Sequence, residues 1–162
     1  MDRFFKVTTE GLFFHQAGVI TDVNTSGADM LGMFVQEIIG HDIIAFVSSD
    51  DAVLTTIHMN RYDDEAWESA IINTDGEVLS VEMQGKRVDY DDEGVRVLAV
   101  RDIRQRKQAE KNIQNIAAEL RQFIDTASTL IFAVDTSLKV TEWNRSAERL
   151  SSRKKEKVLA YR

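Results

Sequence analysis

The sequence predicts an α+β domain, with a mostly antiparallel sheet and short helices on one of its faces, followed by a long coiled-coil helix. Within residues 10–103, two groups of strand-like segments flank a helical middle, which is typical of one sheet covered by a helical layer. The last strand then continues without glycine or proline into charged, helix-favouring sequence, "VLAVRDIRQRKQAE". From Gln105 onward the apolar residues follow a heptad spacing.

The composition is that of a soluble globular protein, because 43% of the 162 residues are hydrophobic and 29% are charged. This length suits one domain plus an additional segment. No apolar run approaches the length of a membrane span, and the N-terminus does not resemble a signal peptide. The absence of cysteine excludes disulfides, thiolate metal sites and cysteinyl cofactor adducts. We therefore expect a cytoplasmic protein.

The net charge of −7 is unevenly distributed. Residues 1–103 contain 7 Lys and Arg against 20 Asp and Glu, whereas residues 104–162 contain 13 against 7. The acidic first part would repel phosphates. The basic residues of the second part are spread along helical periods, as on a solvated helix face. We therefore expect no nucleic-acid partner.

The first segment, "GLFFHQAGVITDVN", predicts a hairpin with strands over Leu12–His15 and Val19–Val23. Asn24 follows as a helix N-cap, and Gly32 is placed to end the short helix "NTSGADMLGM". The hairpin therefore leads directly into the helical middle.

The helical middle continues with two short pieces separated by Gly40 in "VQEIIGHDIIAFV". Ser48 or Ser49 then caps a longer helix. That helix is predicted to carry its apolar residues on one face: Val53, Ile57 and Leu54.

The second group of strands begins with "WESAII", a turn "NTDGE" and "VLSVEMQGKRV". Asp75-Gly76 is a tight-turn signal and predicts a hairpin. After a further turn at "YDDEG", Val95–Ile103 forms the final strand.

The helix after this strand carries a narrow apolar seam. Its neighbours are polar, which favours a parallel two-helix coiled coil over packing on the chain's own domain. We therefore predict a homodimer through residues 105–127. The seam consists of Ala109, Ile113, Ile116, Leu120, Phe123 and Ala127.

An internal repeat appears when the chain is shifted by 120 residues. "ITDVNTSGADML" (20–31) then lies beside "VTEWNRSAERLS" (140–151), with Asn24 opposite Asn144 and Ser26 opposite Ser146. Residues 128–162 are therefore predicted to be the truncated first part of a second copy of the domain.

These segments, taken in order, closely resemble the PAS superfamily of sensory domains. The most specific part is Arg101-Asp102-Ile103-Arg104, followed by "QRKQAE". In the family this strand ends in Arg-Asp-Ile-Thr, so Arg104 replaces the usual threonine. The resemblance covers residues 10–103 as a whole domain and about 128–162 as the front part of another.

The resemblance implies a five-stranded antiparallel sheet and a sensory role. It divides the chain into a lead-in (1–9), a PAS domain (10–103), a signalling helix (104–127) and a partial second PAS domain (128–162). The junction Arg101–Arg104 would pass a conformational change into the helix and on to an output domain outside this chain, such as a kinase or nucleotide cyclase. In the family the aspartate of this junction commonly pairs with a basic residue.

The interior of the domain is the candidate ligand pocket. Both a tightly packed core and a small apolar cavity are compatible with the sequence. The candidate pocket residues are Phe14, Ile20, Leu31, Phe34, Phe46, Leu54, Ile57, Trp67, Ile71, Met83 and Leu98.

Cofactors leave few signals in this sequence. The flavin photochemistry of the family needs a cysteine, which this chain lacks. Haem needs an axial ligand, usually histidine. His15 and His41 are expected at the surface or at an edge. His58 lies on the longer helix, which supplies the ligand in haem-binding PAS proteins, but nearer the helix end than that ligand normally lies.

No metal or catalytic site emerges. The three histidines lack ligand spacing, and the acidic clusters Asp63-Asp64-Glu65 and Asp91-Asp92-Glu93 are typical of solvated turns. No nucleophile–base pairing or Gly-rich phosphate loop occurs. We therefore expect a sensory relay module that is not an enzyme. A receptor domain with bound haem or flavin and a passive interaction scaffold are the alternatives.

Overall fold

The structure, a computed structural model, describes residues 8–61, 65–87 and 95–159. The lead-in up to residue 7, the pair Asp63-Asp64 and the cluster Asp91-Asp92-Glu93 lie outside these residues. The chain divides into two units, one that ends at Lys107 and one that starts at Gln108. Each unit is described by itself below.

The first unit contains a five-stranded sheet in the order β2-β1-β5-β4-β3. All neighbouring strands are antiparallel. This confirms the predicted fold class. The strands are β1 (Gly11–Gln16), β2 (Val19–Val23), β3 (Ala66–Ile72), β4 (Val78–Arg87) and β5 (Arg96–Asp102).

Short helices connect β2 to β3 and supply the apolar side chains that cover one sheet face. The Asn24 side chain caps the first helix by accepting a hydrogen bond from Gly27 N. Gly32 ends that helix with φ of 69°, a conformation that glycine adopts without steric cost. Both predictions are confirmed. The helices are α1 (Thr25–Leu31), α2 (Val35–Ile38), a 3₁₀ helix (Ile43–Phe46) and α3 (Ala52–Asn60).

The prediction that Ser48 or Ser49 caps α3 is wrong, because the helix begins only at Ala52. The preceding residues are bound to β3 instead. Ser48 N donates to Ala70 O at 2.8 Å, and Ala70 N donates to the Asp51 carboxylate at 2.8 Å. The Ser48 hydroxyl also donates to that carboxylate, at 3.2 Å. A tertiary contact therefore uses the polar groups that would otherwise cap the helix.

The three residues of the predicted apolar face of α3 do not face the core, whereas Met59 near the end of the helix packs against it. Val53, Leu54 and Ile57 are 72%, 47% and 45% exposed. The side chain that α3 buries fully is Thr55, which shares a hydrogen bond of 3.1 Å with Ser69 of β3. The predicted apolar face exists, but it points toward solvent because polar contacts fix the rotation of the helix.

A long helix, α4 (Arg104–Thr126), follows β5 directly. It begins in the first unit and continues in the second. Beyond it the second unit contains a two-stranded antiparallel sheet and two short helices. These are β6 (Phe132–Val134), β7 (Val140–Trp143), α5 (Arg145–Ser151) and α6 (Lys155–Leu159). Among the described residues, no helix has the length and apolar character needed to cross a membrane.

Candidate functional site

A small cavity lies between the sheet and the helical layer of the first unit. Its volume is about 20 Å³, far below the roughly 300–1,000 Å³ of typical ligand pockets. Every side chain that lines it is apolar, so it suits an apolar group of very few atoms. The lining residues are Phe13, Ile20, Leu31, Ile43, Phe46, Val47, Ile71, Met83, Leu98 and Val100.

The cavity brings together part of the predicted pocket. Its walls come from all five strands, α1, the 3₁₀ helix and Val47, which follows that helix, so residues far apart in sequence meet here. The predicted residues that line the cavity are Ile20, Leu31, Phe46, Ile71, Met83 and Leu98.

Five predicted pocket residues lie elsewhere. Phe14 is on the opposite sheet face from the buried Phe13, because side chains alternate along a strand. Phe34 is 76% exposed, and Leu54 and Ile57 belong to the outward face of α3. The buried Trp67 is not among the lining residues.

Four lining residues were missing from the predicted pocket: Phe13, Ile43, Val47 and Val100. Strand alternation was the available signal for Phe13, because Gly11, Phe13 and His15 share the buried face of β1. Val47 is placed by an isolated bridge to Ile71. No sequence pattern indicated that contact.

His15 is buried, with only 4% of its surface exposed. The expectation that it lies at the surface is therefore wrong. Its Nδ1 accepts a hydrogen bond from Gly18 N at 3.3 Å. Burial, reinforced by the nearby Arg96 charge and partly opposed by Asp42, lowers the pKa of His15 from 6.5 to about 4. The imidazole is therefore neutral at physiological pH.

The other two histidines contact aromatic rings. His41 is exposed, as expected, and meets Phe46 edge-on at 6.0 Å between ring centroids. His58 is half-buried and stacks on Trp67, with centroids 4.8 Å apart and ring planes at 7°. Neither histidine lines the cavity. In the described ranges, no group of three or more His, Asp or Glu residues is arranged to hold a metal ion.

The junction between β5 and α4 is held by an ion-pair network centred on Arg104. The Asp102 carboxylate accepts hydrogen bonds from Arg104 N at 2.9 Å and from its guanidinium at 2.7 Å. The side-chain hydrogen bond from Arg104 lowers the pKa of Asp102. Arg104 also donates to Glu77, at 2.6 Å. Arg104, which stands where the family usually has threonine, is therefore the basic partner of Asp102. It also contacts Glu77, the residue that precedes β4.

The next residues of α4 also bind the sheet. Arg106 donates to Glu68 at 3.1 Å and lies within 3.4 Å of Glu82. Lys107 lies 2.8 Å from Glu68, and its hydrogen bond lowers the pKa of that carboxyl group. Basic residues at a helix N-terminus oppose the helix dipole. The sheet carboxylates therefore compensate for charges that the helix alone would disfavour.

The apolar seam of α4 is uncovered in this single chain. No residue of the helix is buried. Ala109 is exposed, and the larger seam residues are between 56% and 74% exposed. These larger residues are Ile113, Ile116, Leu120 and Phe123.

Asn24 and Asn144 occupy equivalent positions in the two units. The Asn24 side chain accepts from Leu12 N and Gly27 N, both at 2.9 Å. The Asn144 side chain accepts from Ile131 N at 3.0 Å and Ala147 N at 2.9 Å. Each asparagine caps the helix that follows it and also binds the backbone at the first strand of the preceding hairpin, in β1 for Asn24 and next to the start of β6 for Asn144.

The serines two residues later repeat the same correspondence. Ser26 Oγ donates to Thr8 O at 2.7 Å, and Ser146 Oγ donates to Ala127 O at 2.8 Å. The sequence repeat therefore corresponds to a repeated set of hydrogen bonds.

Comparison with known families gives two matches. The model of a family described as a PAS domain matches residues 9–105. The model of a family described as a PAS fold matches residues 118–161. No curated protein matches the chain significantly.

Solved structures share this fold. The PAS domain of an HTR-like protein from Haloarcula marismortui is 26% identical, with 61% of this chain and 90% of that chain covered and a TM-score of 0.52. A PAS domain of a LuxR-family transcriptional regulator from Burkholderia thailandensis, solved in complex with ethanol, is 20% identical (61% and 93% covered, TM-score 0.51). A domain of a sensory box sensor histidine kinase/response regulator from Geobacter sulfurreducens is also 20% identical (60% and 87% covered, TM-score 0.51).

Proposed function

Because the chain belongs to the PAS domain family, whose members serve as sensory domains, we propose that it relays a conformational signal from the sheet into α4. The observation that carries the proposal is the junction at Arg101–Arg104. Asp102 and Arg104 bind one another across the end of β5 and the start of α4. A displacement of the end of β5 therefore acts directly on the first turn of the helix.

The buried Ile103 supports this relay. It is only 2% exposed, its N–H donates to Ser80 O of β4, and its carbonyl accepts from Lys107 N of α4. The residue thus hydrogen-bonds to the sheet on one side and to the helix on the other. Such a joint has little freedom to absorb a movement of β4 or β5.

The relay acts through a homodimer formed by the α4 seam. Exposed Ile, Leu and Phe side chains at heptad spacing are stabilised when a second helix covers them. In a parallel dimer, a change at the joint alters the packing or rotation of both helices together. The output domain lies outside this chain, and a histidine kinase is our leading candidate, because one solved relative is a sensory box sensor histidine kinase domain.

Analytical ultracentrifugation tests the dimer. The wild-type chain is expected to sediment as a dimer, and Ile116→Asp combined with Leu120→Asp as a monomer. The matched control, Asn115→Asp combined with Gln122→Asp, adds the same charge away from the seam and should remain dimeric. If the seam variant and the wild type have the same oligomeric state, the dimer proposal is wrong.

The input ligand, if the domain takes one, is small and mainly apolar. The cavity of about 20 Å³ with apolar walls supports this class. A PAS domain of the same fold was solved in complex with ethanol. Ligands the size of haem or flavin would require a much larger opening between α3 and the sheet.

Residues 128–162 form the front part of a second PAS domain in this proposal. The hydrogen bonds shared by Asn24 and Asn144, and the family match to residues 118–161, support it. The chain would then comprise a lead-in (1–9), a PAS domain (10–103), a signalling helix (104–127) and this partial second PAS domain (128–162). We also propose a cytoplasmic location, which the absence of cysteine supports, and no nucleic-acid partner, which the negative charge of residues 1–103 supports.

A passive interaction scaffold is the second candidate function, favoured by the small size of the cavity. A scaffold predicts that no small molecule changes the structure of the joint. Native mass spectrometry of the purified chain distinguishes the candidates. A small molecule bound to the chain in the mass spectrum supports sensing. A dimer without a bound molecule, whose amide NMR signals do not shift on addition of small apolar compounds, supports the scaffold.

A further inference from the structure

A layer of polar side chains lies between α3 and β3, in an otherwise apolar interior. Thr55 and Ser69 satisfy one another through their hydroxyl groups at 3.1 Å. One helical turn further on, His58 stacks on Trp67 with centroids 4.8 Å apart. The first of these contacts is a complete hydrogen bond, but the second leaves two polar atoms unsatisfied.

Those two atoms are His58 Nδ1 and Trp67 Nε1. Both are shielded from solvent, and neither has a hydrogen-bond partner within the part of the chain that the structure describes. Trp67 is 7% exposed as a whole residue. Its Nε1–H can only donate, whereas a neutral imidazole Nδ1 donates or accepts. A buried polar atom left without a partner destabilises the folded state, so two such atoms on stacked rings indicate a missing partner.

Trp67, on which His58 stacks, neighbours two residues that line the apolar cavity. Trp67 lies directly opposite Met83 in the pairing of β3 with β4, and Met83 lines the cavity. Ile71, on the same buried face of β3, lines it as well. An apolar cavity with a few convergent polar groups at its edge is the usual form of a small-molecule site.

We propose that Trp67 and His58 form the polar end of the ligand site, and that the ligand carries an acceptor oxygen on a short alkyl group. The oxygen accepts the hydrogen bond of Trp67 Nε1 and contacts His58 Nδ1, while the alkyl group lies beside Met83 and Ile71. Short alcohols and short carboxylic acids share this chemistry. The inference rests on the sensory function proposed above and specifies its ligand class.

The test is an NMR titration of the full chain with 1-propanol, propionate and propylammonium. The chain has two tryptophans, and the Trp143 indole N–H already donates to Arg153 O at 3.2 Å, so it serves as an internal reference. We expect the Trp67 indole proton to move downfield in a saturable way, at roughly millimolar concentration, with 1-propanol or propionate. Propylammonium has the same chain but no acceptor, and should produce no such shift. Whichever of 1-propanol and propionate binds more tightly shows whether the ligand class is the alcohols or the carboxylic acids.

Variants then assign the contact. His58→Phe keeps a ring in the stack and removes Nδ1, and should weaken binding about tenfold. Trp67→Phe should abolish the preference for 1-propanol or propionate over propylammonium. Leu54→Ala changes an exposed side chain of the same helix and should leave the affinity unchanged.

Three results would each overturn the proposal. The first is an equal response to propylammonium, and the second is an unchanged affinity in His58→Phe. The third is a Trp67 indole proton that shows cross-relaxation with water and does not respond to any of the three probes, which would assign the pair to a buried water. If the methyl signals of Met83 and Ile71 respond while the indole does not, the cavity binds ligands without this polar end. If neither responds, ligand sensing by this cavity fails as well.

Discussion

At the scale of single residues, a few side chains form hydrogen bonds with backbone N–H and C=O groups that have no partner within a helix or sheet. Asn24 is the clearest case, because its amide also donates to Glu10 O at 2.9 Å while its oxygen accepts from two N–H groups. It is 6% exposed. Removing the side chain leaves three backbone groups without a partner near the start of β1 and α1.

Asn24→Ala is therefore expected to lower the free energy of unfolding of the first unit by about 2–4 kcal/mol. Urea denaturation, monitored through the fluorescence of Trp67, measures this free energy of unfolding. Asn112→Ala, which removes an exposed side chain of α4 that accepts a hydrogen bond from Gln108, should change the stability by less than about 0.5 kcal/mol. Equal effects of the two substitutions would contradict the role given to Asn24.

His15 makes the stability of the domain depend on pH. Its pKa in the folded chain, about 4, lies below the ordinary 6.5, so between these values the unfolded chain binds more protons. The stabilisation is complete above pH 6.5 and is lost as the pH falls toward 4, by about 3 kcal/mol. Urea denaturation at several pH values should show this loss in the wild type relative to His15→Gln.

The matched control for this prediction is His41→Gln, because His41 is exposed. The free energy of unfolding of this variant should depend on pH in the same way as that of the wild type, since both chains contain His15 and the same carboxylates. If His15→Gln also runs parallel to the wild type between pH 4 and 6.5, burial does not shift the histidine as described.

At the scale of elements, α3 is rotated relative to what its sequence predicts. The three side chains of its predicted apolar face, Val53, Leu54 and Ile57, point outward, and Thr55 faces Ser69. Burying an apolar side chain stabilises a protein, so an amphipathic helix normally has the opposite orientation. Here the polar contacts with β3 and the bond from Ala70 N to Asp51 hold the helix in place.

Two nearly isosteric substitutions test this orientation. Thr55→Val leaves the buried Ser69 hydroxyl without its partner and should cost about 1–3 kcal/mol. Val53→Thr changes a side chain that is 72% exposed and should cost less than about 0.5 kcal/mol. Thermal or urea unfolding of both variants gives the comparison. A larger loss for Val53→Thr would mean that α3 buries its apolar face after all.

The first turn of α4 shows a second feature at this scale. Arg104, Arg106 and Lys107 each contact a carboxylate of the sheet. Individually, exposed ion pairs contribute at most about 1 kcal/mol. Their value here is geometric, because several of them fix the direction in which the helix leaves β5.

At the scale of the whole chain, the two units differ in how well they bury their strands. In the first unit, β4 and β5 lie inside the sheet and contribute Val81, Met83 and Leu98 to the core. In the second unit, all three residues of β6 are exposed, with Phe132 at 56%. A two-stranded sheet without cover is marginally stable.

Amide hydrogen exchange should reflect this difference. We expect strong protection in β4 and β5, and exchange faster by orders of magnitude in β6 and β7. Peptide-level mass spectrometry measures both regions in one experiment. Comparable protection in β6 would contradict the prediction and would show that another part of a chain covers this hairpin in solution.

Some of the site was predictable and some was not. Ile20, Leu31 and Met83 were identified as pocket residues because each is a large apolar residue within a predicted strand or helix. The predicted pocket contains Phe14 and not Phe13, because two adjacent phenylalanines leave the buried face of the strand undetermined until the sheet pairing is known. His15 was misplaced for a related reason, since a position near a turn does not reveal what packs over it.

Local sequence patterns suffice for the fold class, the order of the elements, the Asn24 and Gly32 helix boundaries and the heptad spacing of α4. These depend on local propensities, capping groups and periodicity, which act over a few residues. The rotation of α3, the burial of His15, the partners of Arg104 and the small volume of the cavity follow from the folded chain alone. Each of these depends on contacts between residues distant in sequence, such as Ser69 with Thr55 and Glu77 with Arg104, whose energies no local pattern contains.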